Sequence, residues 1–220
     1  MRGRPAVAAL VALAALAALV APRRALAQGE PIVALRADAG VLWIHSDTGV
    51  ARGAMRGPAV AAEARVSVRG LFVGGGILEG RLQPLVGAAA QRDLVQATLF
   101  VGARPLPWLE LSAGPVVRAY VTDSASERWV LWQGRARVEA PIVAGSLASY
   151  AELWRTLASD VSLGPGAGRV QGGEAGVMFW PPETRFWVRL AYRVDDARVG
   201  NTARSETVEA VLVSVGVGLP

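Results

Sequence analysis

From residue 32 onward the chain repeats one pattern, in which apolar and polar side chains alternate between turn-like breaks. In WQGRARVEAPIV (132–143), Gln133, Arg135, Arg137 and Glu139 take every second position, and Trp132, Ala136, Val138, Ala140 and Ile142 take the others. A strand sends alternate side chains to opposite faces, so each such run has a charged face and a greasy one. The same period recurs in 60–69, 108–122 and 185–196. It predicts an all-β chain of ten strands: 32–45, 59–69, 71–82, 93–103, 108–122, 129–143, 147–160, 169–180, 185–198 and 207–219. Eight strands are the alternative, because 71–96 and 147–161 are ambiguous. Leu147, Ala151, Trp154, Ala158 and Val161 also fit one face of a helix, while as a strand the same stretch aims Arg155 at the greasy face.

The breaks alternate as well. Tight turns fall at Arg69-Gly70, RPLP (104–107), AGS (144–146) and PPET (181–184). Longer links fall at 46–57, 83–92, 123–128, 162–168 and 199–206. Short and long connections in turn are what an antiparallel up-and-down β-barrel with unequal rims produces, with both termini at the tight-turn rim.

The decisive question is which face points inward. The charged positions predicted to share one face are Arg36, Asp38, Glu63, Arg65, Glu79, Arg81, Glu110 and Arg118 in the first half. Arg135, Arg137, Glu139, Glu152, Glu174, Arg189, Arg193 and Asp195 continue it in the second. Cations and acids nearly balance, which is the condition for burying charge in a closed lumen. The other face is small and smooth, rich in Ala, Val and Leu, and suits lipid better than an interlocking core. Trp43, Trp108, Tyr120, Trp129, Trp132, Trp180, Phe186 and Trp187 lie near strand ends, as an aromatic girdle would. The expected fold is therefore a transmembrane barrel with charges inside.

The N-terminus agrees with export. Arg2 and Arg4 precede an uncharged apolar run from Ala6 to Ala21, and Ala25-Leu26-Ala27 offers an A-x-A cleavage site. Residues 1–27 read as a signal peptide and 28–220 as one barrel domain. Removing 1–27 takes away four arginines, so the formal charge of +5 falls to +1. A near-neutral chain gives no support for a nucleic-acid partner. The chain has no cysteine, which leaves neither disulfides nor thiol chemistry.

Taken together, the signal peptide, alternation, rim pattern and girdle resemble those of small bacterial outer-membrane β-barrel proteins, across the whole of 28–220. The resemblance implies an outer-membrane location, lipid as the surrounding partner, and a monomer. It also implies folding by an assembly machinery that reads a C-terminal strand, usually one ending in an aromatic residue. Val211, Val213, Val215, Val217 and Leu219 alternate as that strand should, but the chain ends Leu219-Pro220.

Little in the sequence points to catalysis or cofactors. His45 is the one histidine, and its neighbours Ser46 and Asp47 adjoin it in sequence, whereas triad partners meet through the fold. A rim hydrolase using His45 is the weakest reading. No recognised metal or phosphate motif is present, and Gly74, Gly75 and Gly76 read as positions that bend a strand or admit a large neighbour. No cofactor is expected. The first functional expectation is a structural or surface-contact barrel with its lumen plugged by Arg–carboxylate pairs. The second is a narrow channel lined by Arg118, Arg135, Arg137, Arg189 and Arg193. The third is a soluble periplasmic barrel holding an apolar ligand.

Overall fold

A computed structural model describes residues 31–47, 52–86, 91–122, 126–161, 168–199 and 204–218. The proposed signal peptide, part of each loop-side connection and the Leu219-Pro220 terminus lie outside these residues. Ten strands follow in order: β1 (Ile32–Asp47), β2 (Arg52–Val68), β3 (Leu71–Val86), β4 (Arg92–Leu106) and β5 (Leu109–Val121). They continue as β6 (Ser126–Val143), β7 (Leu147–Val161), β8 (Gly168–Phe179), β9 (Phe186–Val199) and β10 (Ser205–Val217).

Each strand pairs antiparallel with its sequence neighbours, and β10 closes on β1 through Leu35 opposite Val217. The result is a closed up-and-down meander with no free edge. Both ends of the described chain lie at the rim of tight turns. At one of these turns Arg69 and Gly70 take φ of 49° and 80°, the left-handed pair that a two-residue hairpin needs. Residues 147–161 form a strand. Arg155 is exposed on the outer side, and past it a bulge opposite Trp132/Gln133 sets Leu157 and Ala158 outward in succession, so the outward positions of β7 change from odd to even.

The strands are longer than the sequence pattern suggests. They run from 12 residues in β8 to 18 in β6, whereas crossing a bilayer takes about 9–11. The surplus lies at the loop rim. There the 46–57 and 83–92 links turn out to be largely strand, and β1 and β2 stay paired to Asp47 opposite Arg52. Alternation continues through these links, hidden by their glycines and charges.

Candidate functional site

Burial alternates along the strands except at a few bulges, so the facing of each strand can be read directly. From the turn rim, β1 points Ala34, Arg36, Asp38, Gly40, Leu42 and Ile44 inward, and Val33, Ala39 and His45 outward. The inward series changes character half-way: charged first, then apolar. β2 and β6 repeat this switch.

The turn-side half of the lumen is an ionic network. Arg189 lies at its centre, 1% exposed, donating to Asp38 at 3.0 Å, Glu174 at 2.7 Å and the Ser214 hydroxyl at 2.9 Å. Arg36 adds ion pairs to Asp38 at 3.0 Å and Glu63 at 2.9 Å, and the Tyr150 hydroxyl donates to Glu174 at 2.6 Å. On the β2–β5 side Arg65 forks onto Glu110, with 2.9 Å to each oxygen, and Arg104 joins the same carboxylate. Arg135 reaches Glu152 at 3.4 Å, and Arg137 reaches Glu139 at 2.8 Å. Nearer the loop rim, beyond Val116 on β5 and opposite Trp129 on β6, Arg118 crosses the barrel to Asp195 at 2.7 Å, where Arg193 and the Trp154 indole N–H also donate. Such charges are tolerable away from water because each is paired and hydrogen-bonded. Between them remains a cavity of about 90 Å³, lined by Arg36, Glu63, Arg65, Arg135, Glu152 and others. That is room for a few water molecules.

The loop-side half is mostly an apolar core, crossed by the buried Arg118–Asp195 pair. Leu42, Ile44, Leu78, Leu82, Leu94, Val116, Trp129, Leu131, Val170 and Val208 all belong to one buried cluster. Leu82, Trp129, Leu131 and Val170 have no exposed surface at all. Above this layer Arg92 pairs with Glu206 at 2.7 Å, Tyr120 donates to Glu206, and Arg204 forks onto Glu127 at 2.9 and 2.7 Å.

The outside mirrors the inside. The turn-side exterior is apolar, with Val33, Val73, Leu99, Val101, Leu153, Leu190 and Val215 exposed. Higher up, the outward positions become His45, Arg56, Glu79, Arg81, Gln171, Asp196 and Glu209. β1, β2 and β6 therefore invert their pattern along their length, whereas β5 stays apolar outside and keeps Arg118 inside. One half of each inverting strand is greasy outside and charged inside. The other is charged outside and greasy inside, like a soluble barrel.

This inversion decides where the expected residues fall. Arg36, Asp38, Glu63, Arg65, Glu110, Arg118, Arg135, Arg137, Glu139, Glu152, Glu174, Arg189, Arg193 and Asp195 face the lumen. Glu79 and Arg81 do not: in β3 the even positions point inward, so both lie outside, with Arg81 3.8 Å from Asp93. They sit above the apolar band, where the rule that charges face inward reverses. Exchanging both for glutamine is expected to change unfolding free energy by less than about 0.5 kcal/mol in a urea titration in micelles, the usual cost of a surface change. A loss of several kcal/mol would return them to the lumen.

The girdle divides too. Trp43, Trp108, Trp132 and Phe186 lie on the outside or at a turn, and Phe179 and Tyr192 join them. Tyr120, Trp129 and Trp187 are instead inside the barrel, and Trp180 packs against the interior cluster. Glycines make the space: a Cβ on Gly216 would lie 2.1 Å from the Trp187 indole, and one on Gly74 2.5 Å from the Phe100 ring. Sequence reasoning missed Arg104, Gln96, Ser214, Tyr150 and Trp154 in the network, and the whole Arg92–Glu206–Tyr120 cap. Arg92, Arg104 and Glu206 fell in segments read as links or turns. The lumen is thus not polar throughout.

His45 is exposed on the outer side at the loop rim, while Ser46 turns the other way. Among the described residues no cluster of His, Cys, Asp or Glu could hold a metal ion.

No family model matches the chain, and no curated protein matches it. Among solved structures it is similar to neisserial surface protein A, at 13% identity over 85% of this chain and 97% of that one, with a TM-score of 0.42. It is also similar to the translocator domain of autotransporter NalP from Neisseria meningitidis (14%, 96% and 97%, TM-score 0.41). A third is Ail, the attachment invasion locus protein of Yersinia pestis (10%, 84% and 98%, TM-score 0.35). At such identities no activity passes from them to this chain.

Proposed function

We propose that this chain is a closed β-barrel of the bacterial outer membrane with a structural or surface-contact role, and that it does not conduct solutes. The observation that carries this reading is the apolar layer across the loop-side lumen. A channel needs a continuous polar path, and side chains with no exposed surface block one there. The ionic half below then acts as an internal brace. With the lumen filled, the working surfaces are the rims and the outer wall. The β1–β2 hairpin, paired up to Asp47 and Arg52, projects beyond the apolar band and offers the contact surface.

The membrane assignment rests on the exterior. A belt of exposed Val, Leu and Ala around the whole turn-side half exceeds any apolar patch that a soluble monomer leaves in water. Lipid covers it, and the chain works as a monomer exported by residues 1–27. The mature chain, refolded into micelles, is expected to need detergent and to migrate differently before and after boiling. Liposomes carrying it are expected not to swell in a small sugar. Solubility without detergent would contradict the membrane reading, and swelling would contradict the closed lumen.

A further inference from the structure

We infer that the outer face of β7–β9 binds the phosphate of a lipid headgroup through Arg155, Arg169, Gln171 and Arg198. The inference rests on the membrane reading above. It begins with an oddity in β7. Arg155 faces outward between Leu153 and Leu157, which are 67% and 70% exposed. A guanidinium among lipid-facing leucines is costly unless it reaches the interface and meets an anion there.

Its surroundings supply more positive charge. Opposite Arg155 on β8 is Gln171, and two residues along β8 is Arg169. Opposite Arg169 on β9 is Arg198. Like charges directly across an antiparallel pair repel, so this pairing is unfavourable until an anion sits between them. Arg169 Nη2 donates to Gln171 Oε1 at 2.6 Å, which holds Gln171 beside both arginines. Among the described residues neither Arg155 nor Arg169 forms an ion pair, and Arg198 has Asp196 at 3.6 Å. Asp160, near the top of β7, is the other acid on this face. Elsewhere at the loop side, outward Arg52 pairs with Asp47 at 3.0 Å, and outward Arg56 lies over the Trp43 ring.

The level of the cluster selects the ligand. Gln171, Asp196 and Glu209 mark where the apolar exterior ends, which is where headgroup phosphates lie. Planar guanidinium groups grip phosphate oxygens in pairs, and the apolar wall below accepts acyl chains. A lipid-borne phosphate meets both conditions and a free phosphate only one.

The test uses the whole mature chain in micelles and native mass spectrometry with added lipid A, a phosphorylated glycolipid. The wild type is expected to retain it, and each of R155A, R169A and R198A to weaken retention about fivefold. These side chains are exposed, so the heat-dependent gel shift of the variants should match wild type. Equal retention by the triple variant would overturn the site. So would equal retention of lipid A stripped of phosphate, or full displacement by millimolar inorganic phosphate, which would make the ligand a free ion. If the barrel inserts into lipid and any of these occurs, the site alone fails. If the chain stays soluble without detergent, the membrane reading fails with it.

Discussion

Arg189→Ala is expected to destabilise the barrel by about 3–5 kcal/mol, the cost of removing one partner from a buried ionic cluster. Arg189 is 1% exposed and, among the described residues, is the only side chain that ion-pairs with both Asp38 on β1 and Glu174 on β8. Without it, Glu174 keeps the Tyr150 hydroxyl and Asp38 keeps Arg36, but each loses a charge-assisted bond in a place water reaches poorly. Arg189→Lys tests the geometry. A lysine restores the charge but cannot hold Asp38, Glu174 and Ser214 in one planar fork, so an intermediate loss is expected. Urea unfolding in micelles, read by tryptophan fluorescence, measures both. A loss under about 1 kcal/mol for alanine would mean that the network is solvated, since exposed pairs are worth no more than that.

Trp129→Ala is expected to cost about 3–5 kcal/mol as well, and for a different reason. Trp129 has no exposed surface, and its ring meets Tyr120 edge-on with centroids 6.4 Å apart. Truncating it removes a large side chain from the layer that closes the lumen. Leu82, Leu94 and Leu131 cannot all move in, because each is held by its own strand. The variant should therefore lose stability and gain a leak, seen as liposome swelling that the wild type lacks. Trp129→Phe keeps most of the volume and should stay tight. A leak-free, fully stable Trp129→Ala would show that the seal lies elsewhere.

The barrel was legible because closure and antiparallel pairing demand period two, and period two runs unbroken through β5, β9 and most of β6. Much of the ionic lumen was legible for the same reason: Arg135, Arg137 and Glu139 can face nothing but one side. Two things were not. The first was length. Gly53, Gly57 and Pro58 look like loop residues, yet they lie within the paired β2. Gly57 is needed there because a Cβ would fall 1.6 Å from the Arg81 carbonyl oxygen. The second was the reversal of facing. Glu79, Arg81 and Trp129 were placed by the rule that charges point in and aromatics point out, which holds only where lipid is outside. Above the proposed lipid belt, water is outside and the hydrophobic effect drives Leu78, Leu82 and Trp129 inward. A single alternating string carries no mark of where one solvent gives way to the other.

Planar-bilayer recording of the unmodified mature barrel tests the closed, two-zone lumen most directly. The apolar layer around Leu82, Trp129 and Leu131 predicts a flat baseline after insertion, with no unitary current steps in molar salt. Regular ohmic steps from the wild-type protein would contradict it.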